Sequence, residues 1–122
     1  MTRILLVTVA ILLPLAAHAG MWDGNYSGQL VQFGSNAMPC AKAAVVQMNV
    51  AGDTLTYHHF SNATFTAKVG ADGSFKDTQQ NQYGGSRTMN VATLAGQIGP
   101  SGISATVTSQ YCNYQLTLKR QG

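Results

Sequence analysis

Apolar and polar residues alternate with a period of two over most of this chain. Val46, Met48 and Val50, for example, alternate with Gln47 and Asn49. Alternation of this kind places one face of a β-strand against a core and the other face in water. β-branched and aromatic residues are frequent in these runs, which favours strands over helices. The chain is therefore predicted to be all-β.

Short segments rich in Gly, Asp and Pro separate the alternating runs, at 51–53, 70–73 and 99–102. Gly and Asp supply the positive-φ positions that hairpin turns require. We predict strands at 24–33, 43–50, 54–60, 64–69, 74–78, 88–98, 103–109 and 112–119. Short turns between successive strands predict an antiparallel meander of about eight short strands. The meander forms either a small barrel or a sandwich, because both architectures produce the same alternation.

Three features interrupt this regular pattern. Gly96 lies inside the long 88–98 run and predicts a bulge or a bend there. The segment from Gly34 to Cys40 is predicted to be a loop. The segment from Gln79 to Arg87 is polar, rich in Gly and long for a hairpin. Loops of this length often carry function, although a mobile tip explains the same composition.

The first nineteen residues have the organisation of a secretory signal peptide. Arg3 provides a positive start, residues 4–13 are apolar, and Ala17-His18-Ala19 provides small residues before a cleavage site. The apolar stretch is too short for a membrane helix, which needs about twenty residues. We therefore expect cleavage between Ala19 and Gly20, one domain over 20–122, no membrane span after cleavage, and a periplasmic or secreted protein.

The chain has two cysteines, Cys40 and Cys112. Two cysteines in a small exported domain usually pair in an oxidising compartment. A redox role would call for a C-x-x-C spacing, and the sequence has none. We predict a structural disulfide.

Charged residues are scarce, at 9 % of the chain against about 25 % in an average soluble domain. This scarcity argues against a helical bundle, a coiled coil and a charge-expanded disordered chain. The predicted mature chain keeps six scattered Lys or Arg residues against four Asp residues, too little positive charge to indicate nucleic-acid binding.

The sequence offers few groups for catalysis. Glu is absent, and the four acidic residues are Asp23, Asp53, Asp72 and Asp77. Asp53 and Asp72 lie in predicted turns, where Asp serves backbone hydrogen bonding, and Asp77 is expected at the surface. Neither a G-x-S-x-G motif nor a phosphate-binding glycine loop is present. We expect a protein that is not an enzyme and that carries no cofactor.

His58 and His59 are adjacent, so strand geometry points them to opposite faces and they cannot both bind one metal ion. We expect two partly exposed strand histidines and no metal site. A soft copper site that combines one histidine with Met48 or Met89 is the alternative.

Three motifs provide a resemblance: residues 22–28 (WDGNYSG), residues 71–75 (ADGSF) and residues 112–118 (CNYQLTL). This pattern resembles a group of small, uncharacterised exported bacterial proteins that are presumed to be all-β. The start of the predicted mature chain, at residues 22–28, also resembles the first strand of lipocalin-like and avidin-like barrels. That second resemblance implies that Trp22 or Tyr26 plugs one end of a barrel.

Most aromatic residues are expected in the core. Tyr83, in the long loop, is expected to be exposed beside Arg87, and Tyr and Arg are typical interface anchors. The candidate binding residues are therefore Tyr83, Arg87, Trp22 and Tyr26. We expect a monomeric, non-catalytic interaction module for a protein or a glycan. The alternative is a small-ligand carrier with an apolar barrel interior.

Overall fold

The structure is a computed structural model that describes residues 20–34, 40–60, 63–82 and 89–121. These residues form eight strands. The strands are β1 (Gly24–Phe33), β2 (Ala43–Ala51), β3 (Thr54–His59), β4 (Ala63–Lys68), β5 (Ser74–Gln82), β6 (Met89–Gly99), β7 (Gly102–Ser109) and β8 (Asn113–Arg120). No helix among these residues is long and apolar enough to cross a membrane. The all-β prediction is confirmed.

All eight strands belong to one antiparallel sheet with the order β4-β3-β2-β1-β8-β7-β6-β5. Strands that follow each other in sequence are neighbours, and β1 also pairs with β8. The two edge strands, β4 and β5, come together, so the meander curls into a nearly closed barrel. The structure therefore decides between the two predicted architectures in favour of the barrel.

The seam between β4 and β5 is joined by a side chain. The backbone N–H of Thr66 on β4 donates to Oδ2 of Asp77 on β5, at 2.9 Å. The side-chain amide of Gln79 donates to the same oxygen, at 2.8 Å. Asp77 is thus half-buried at the seam rather than fully at the surface. An inward-leaning charged residue of this kind also protects a sheet edge from pairing with another chain.

The barrel interior is filled by its own side chains. Inward positions are mostly apolar, as the alternation predicts, and the polar exceptions include the buried His59 on β3 and the half-buried Asp77 at the seam. The largest fully buried side chains are Tyr26, Tyr57, Phe65, Leu30, Leu55, Leu94, Ile98, Ile103, Leu116, Leu118, Val50 and Val107. Eight-stranded barrels of this size commonly hold little beyond such side chains.

The two ends of the barrel differ. At the turn end, residues 52–53 and 100–101 make tight connections, and residues 69–73 make a slightly longer one. At the loop end, strands β1, β3, β5 and β7 finish, and the connections are residues 34–42, 60–62, 83–88 and 110–112. The disulfide lies at this loop end.

Cys40 and Cys112 form the predicted disulfide, with a Cα–Cα distance of 5.8 Å. Cys40 precedes β2 and Cys112 precedes β8, and these two strands flank β1. The bond therefore links the two neighbours of β1 at the loop end. It joins positions separated by 72 residues.

Gly96 does not interrupt the sheet, so the predicted bulge is wrong. It pairs in register with Phe75 on one side and Ala105 on the other. A Cβ atom at Gly96 would lie 2.5 Å from the backbone oxygen of Ser104. Glycine is needed here because the neighbouring strand approaches too closely for a side chain.

The predicted loop at 79–87 begins later than expected. Strand β5 continues to Gln82, because Gln79 pairs with Ala92 and the register runs on to Gln82 opposite Met89. The prediction of a loop was therefore wrong for residues 79–82. Residues 83–87, and residues 35–39 of the other predicted loop, lie outside the described part of the chain.

Candidate functional site

The most exposed apolar side chains of the barrel wall lie together on the outer face of β1 and β2. Val45 is 74 % exposed, Val31 48 % and Phe33 44 %. Val31 lies opposite the exposed Ala43 and diagonal to Val45, and Phe33 follows on the same face of β1. We call this surface the apolar strip (Val31, Phe33, Ala43 and Val45). It lies toward the loop end.

The apolar strip differs from the rest of the outer wall. Outward positions on the other strands mostly carry hydroxyl or amide side chains, for example Thr78, Gln97, Thr108 and Thr117. Val91 on β6 is an isolated exception, at 40 % exposed. Single exposed apolar residues are normal, whereas a contiguous group indicates a contact surface.

The apolar strip was not predicted from the sequence. The signal was present, because Leu30-Val31 and Val45-Val46 each place two apolar residues in succession. In a strand, one member of such a pair must face outward. Leu30 and Val46 are buried, and Val31 and Val45 face solvent.

A cluster of rings closes the interior at the loop end. It comprises Tyr57, His59, Phe60, Phe65 and Tyr114. Phe60 lies over His59, with the ring centroids 4.6 Å apart, and contacts Tyr114 edge-on at 5.7 Å. Phe60 adopts a φ of 52°, which is rare for an aromatic residue. It turns the chain at the end of β3.

His59 is buried within this ring cluster, at 7 % exposed, which corrects the expectation that both histidines are partly exposed. Its Nδ1 shares a hydrogen bond of 2.9 Å with the Tyr57 hydroxyl. Burial lowers the pKa of His59 to about 4 and raises the pKa of Tyr57 well above its ordinary value. Both side chains are therefore neutral near pH 7.

His58 faces the outside of the barrel, as strand geometry predicted. Its Nδ1 shares a hydrogen bond of 2.9 Å with the Thr64 hydroxyl. Among the described residues, no group of three or more His, Cys, Asp or Glu side chains could hold a metal ion. The two histidines remain separated by the sheet.

Tyr26 and Trp22 lie at the turn end. Tyr26 is 1 % exposed, and its hydroxyl donates to the Trp22 carbonyl at 2.8 Å. Nη2 of Arg120 donates to the same hydroxyl at 2.8 Å. Trp22 is half-buried, and its buried Nε1–H has no hydrogen-bond partner among the described residues. The polar contacts of Tyr26 tie the entry of β1 to the end of β8.

The other two candidate binding residues, Tyr83 and Arg87, lie outside the described part of the chain. The structure places Trp22 and Tyr26 together at the turn end. The prediction for Tyr83 and Arg87 stays a prediction.

The aspartates make structural hydrogen bonds. Asp72 accepts from the Ser74 hydroxyl at 2.7 Å and from the Ser74 amide at 3.0 Å, and these bonds lower the pKa of Asp72. Asp53 accepts from the Gly20 amide at 3.2 Å. Asp77 joins the seam, as described above. The geometry of Asp53, Asp72 and Asp77 is that of turn and edge residues.

Comparisons of the chain with protein-family models, with curated proteins and with solved structures found no match.

Proposed function

We propose that this chain is an exported, non-catalytic interaction module whose contact surface is the apolar strip. The observation that carries the proposal is the gathering of three exposed apolar side chains, Val31, Phe33 and Val45, on two paired strands of an otherwise polar barrel wall. Burying such a group in a partner removes apolar surface from water, which is the main driving force for association.

The apolar strip lies on a well-paired part of the sheet, which supports a role in binding. Strands β1 and β2 pair over eight residue pairs, and the disulfide ties the segments that precede β2 and β8. Side chains on a fixed sheet lose less conformational freedom on binding than side chains on a loop. Val, in addition, has few rotamers to lose.

The chemistry of the apolar strip favours a protein partner over a glycan. Its aliphatic and phenyl side chains carry no hydrogen-bonding atom, whereas sugar hydroxyls need donors and acceptors. Interface cores on proteins are apolar and poor in charge. The partner is thus expected to present an apolar surface.

A small-ligand carrier was the alternative prediction. The interior positions of the described strands are occupied by large buried side chains such as Leu30, Phe65 and Leu116. This packing does not specifically support the hypothesis of a small-ligand carrier. The disulfide is consistent with an oxidising compartment, which supports the proposal that the protein acts in the periplasm or outside the cell.

The proposal is tested with the double variant Val31→Thr/Val45→Thr. Thr keeps the shape and strand preference of Val, so we expect stability to change by less than about 0.5 kcal/mol. Photo-crosslinking from position 45 in the producing cells should give a discrete protein adduct. Purified partner should then bind the double variant at least about tenfold more weakly.

Val91→Thr is the matched control, because Val91 is an exposed outward Val on β6, away from the apolar strip. Binding should survive this change. Equal binding by the double variant and the wild type would refute the apolar strip as the contact surface. A crosslinked adduct between two copies of this chain would instead contradict the prediction that the protein is a monomer.

A further inference from the structure

The ladder between β2 and β3 ends early. The two strands pair at Ala51↔Thr54, Val50↔Leu55 and Asn49↔Thr56 only. The same register would continue with Gln47 opposite His58, yet these residues are outside the ladder. Strand β3 meanwhile stays fully paired with β4, over six residue pairs. The β3–β4 hairpin therefore leans away from β2 toward the loop end.

Backbone polar groups face this opening. In an antiparallel sheet, successive residues direct their N–H and C=O groups to opposite neighbours. The Gln32 N–H donates to the Lys42 C=O at 2.9 Å, so the even positions of β2 face β1 and the odd positions, including Gln47, face β3. The Val69 N–H donates to the Asp53 C=O at 2.8 Å, so the even positions of β3, including His58, face β2.

A groove of about 370 Å³ lies at this opening. Small-molecule sites commonly measure roughly 300–1,000 Å³, so the groove is large enough for a small ligand. Its outward-facing lining comes from three adjacent strands and contains no Asp, Glu, Lys or Arg residue. The lining side chains with hydrogen-bonding groups include Asn25, Ser27, Gln47, Asn49, Thr56 and His58. We call it the polar groove.

Two hydrogen bonds orient side chains of the polar groove before any ligand binds. The Asn49 side-chain amide donates to the Asn25 side-chain oxygen at 2.7 Å. The bond between His58 Nδ1 and the Thr64 hydroxyl, at 2.9 Å, sets the orientation of the imidazole. Asn and His each combine donor and acceptor capacity in one side chain. Preorganised polar groups lose less entropy when a ligand binds.

We infer that the polar groove binds a neutral polyhydroxylated ligand, namely a sugar unit of an oligosaccharide. Sugar hydroxyls donate and accept, as the amide, hydroxyl and imidazole groups of the groove do. A charged ligand would find no carboxylate, ammonium or guanidinium group in the lining. An apolar ligand would leave these polar groups without hydrogen bonds. This site is separate from the apolar strip, and the inference does not depend on the proposed function.

An extended peptide is the competing occupant, because it could pair with the backbone of Gln47. It would lie along one strand edge and would leave Asn25 and Ser27, on β1, unused. The lining from three strands fits a compact ligand better. The test below separates the two by using a probe of each kind.

The inference is tested by NMR titration of the disulfide-bonded mature protein with maltotriose, with triacetylchitotriose and with a blocked tetraalanine peptide. At least one trisaccharide should give saturable shifts of the Asn25 and Asn49 side-chain amide signals. A millimolar dissociation constant would suffice, as expected for a small polar ligand. Thermal denaturation checks that each variant below is folded.

The double variant Gln47→Ala/His58→Ala should bind the trisaccharide at least about tenfold more weakly. Gln115→Ala is the matched control, because Gln115 is an exposed outward Gln on β8. It should bind like the wild type, and so should Val31→Thr/Val45→Thr, which changes only the apolar strip. If the double variant does not fold, Gln47→Ala alone serves, because Gln47 is exposed.

Three outcomes would overturn the inference. The first is no saturable shift with either trisaccharide. The second is equal binding by wild type and the Gln47 variants. The third is saturable binding of the peptide alone, which would identify the opening as a strand-addition site. None of these outcomes bears on the apolar strip.

Discussion

The buried imidazole of His59 makes the stability of this barrel depend on pH. Its pKa is about 4 in the folded state, against 6.5 for the free side chain. Between these values the unfolded chain binds more protons than the folded chain, so protons favour unfolding. The contribution is complete above pH 6.5 and is lost as the pH falls toward 4. Tyr57, whose hydroxyl shares a hydrogen bond with the imidazole, stays neutral throughout this range because burial raises its pKa.

We therefore predict that the free energy of unfolding falls by on the order of 3 kcal/mol between pH 6.5 and pH 4 through His59. Urea denaturation of the oxidised protein at both pH values measures it. His59→Gln keeps a partner for the Tyr57 hydroxyl but does not titrate, so it should lose most of this slope. His58→Gln should keep the slope, because His58 is exposed. Equal slopes in both variants would contradict the assignment.

Single residues also show where sequence reasoning reaches its limit. Alternation predicted that His58 and His59 face opposite sides, and this is confirmed. It did not predict which of them is buried, because an imidazole is compatible with either environment. Asp77 was likewise predicted to be a surface residue, because its contact with β4 arises only where β4 and β5 meet in the fold.

At the level of the strands, the tightest constraint lies in β1. Gly28 is paired with Val46 on β2 and with Leu118 on β8. A Cβ atom at Gly28 would lie 1.9 Å from the Thr117 carbonyl oxygen and 2.6 Å from the Leu118 Cα. Neither backbone atom can move without disturbing the ladder. Glycine is thus required at this position for strand packing.

We predict that Gly28→Ala destabilises the barrel by about 3 kcal/mol or more, at the upper end of overpacking costs. Gly99→Ala is the control, since a Cβ atom there meets nothing within 4 Å. We expect Gly99→Ala to change stability by less than about 0.5 kcal/mol. Urea denaturation compares the two, and a tolerated Gly28→Ala would show that β1 and β8 can separate.

The disulfide acts on three strands at once, because it links the segments that precede the two neighbours of β1. In the chain-entropy model, closing a loop over 72 residues stabilises the folded state by roughly 4 kcal/mol. We predict that Cys40→Ser/Cys112→Ser loses about this amount in guanidinium denaturation. Reduced wild-type protein is the control and should match the double variant. A loss below about 1 kcal/mol would show that the unfolded chain is already compact.

The strands themselves could be predicted closely from the sequence, and the reason is physical. A strand with one dry and one wet face must alternate, so β1 and β7 were located within one residue at each end. Strand β5 was cut short because residues 79–82 are all Gln or Asn. In the structure, pairing with β6 extends strand β5 through Gln82. The alternation of residues within one strand does not show which other strand pairs with it.

For the whole molecule, the surfaces were harder to predict than the fold. The apolar strip and the polar groove each combine residues from strands that meet only in the barrel. The resemblance to lipocalin-like and avidin-like barrels implied that Trp22 or Tyr26 plugs one end of a barrel, which stays a prediction, and the structure places both residues at the turn end. The strands and their antiparallel order thus follow from patterns along the chain, whereas barrel closure and the two surfaces follow from how the strands meet in the fold.

The predicted removal of residues 1–19 would change a contact at the turn end of the barrel. The Gly20 nitrogen donates to Oδ1 of Asp53 at 3.2 Å, across the turn end of the barrel. Cleavage after Ala19, as predicted, would convert this amide nitrogen into an ammonium group. The bond would then become a charge-assisted contact with a carboxylate, which is stronger than a neutral hydrogen bond. Signal removal would on this basis tighten the turn end.

We predict that the exported protein has the mass of residues 20–122 and is lighter by two hydrogen atoms than its reduced form, as native mass spectrometry would show. Asp53→Asn should then destabilise the cleaved protein by about 1 kcal/mol, since an amide cannot pair with the ammonium charge. Asn accepts the positive φ of this position, so backbone strain does not confound the comparison. N-terminal acetylation of the cleaved wild type is the complementary measurement, because it removes the charge and keeps the N–H donor. If acetylation and Asp53→Asn each leave the free energy of unfolding unchanged, the Gly20 terminus makes no stabilising contact with Asp53.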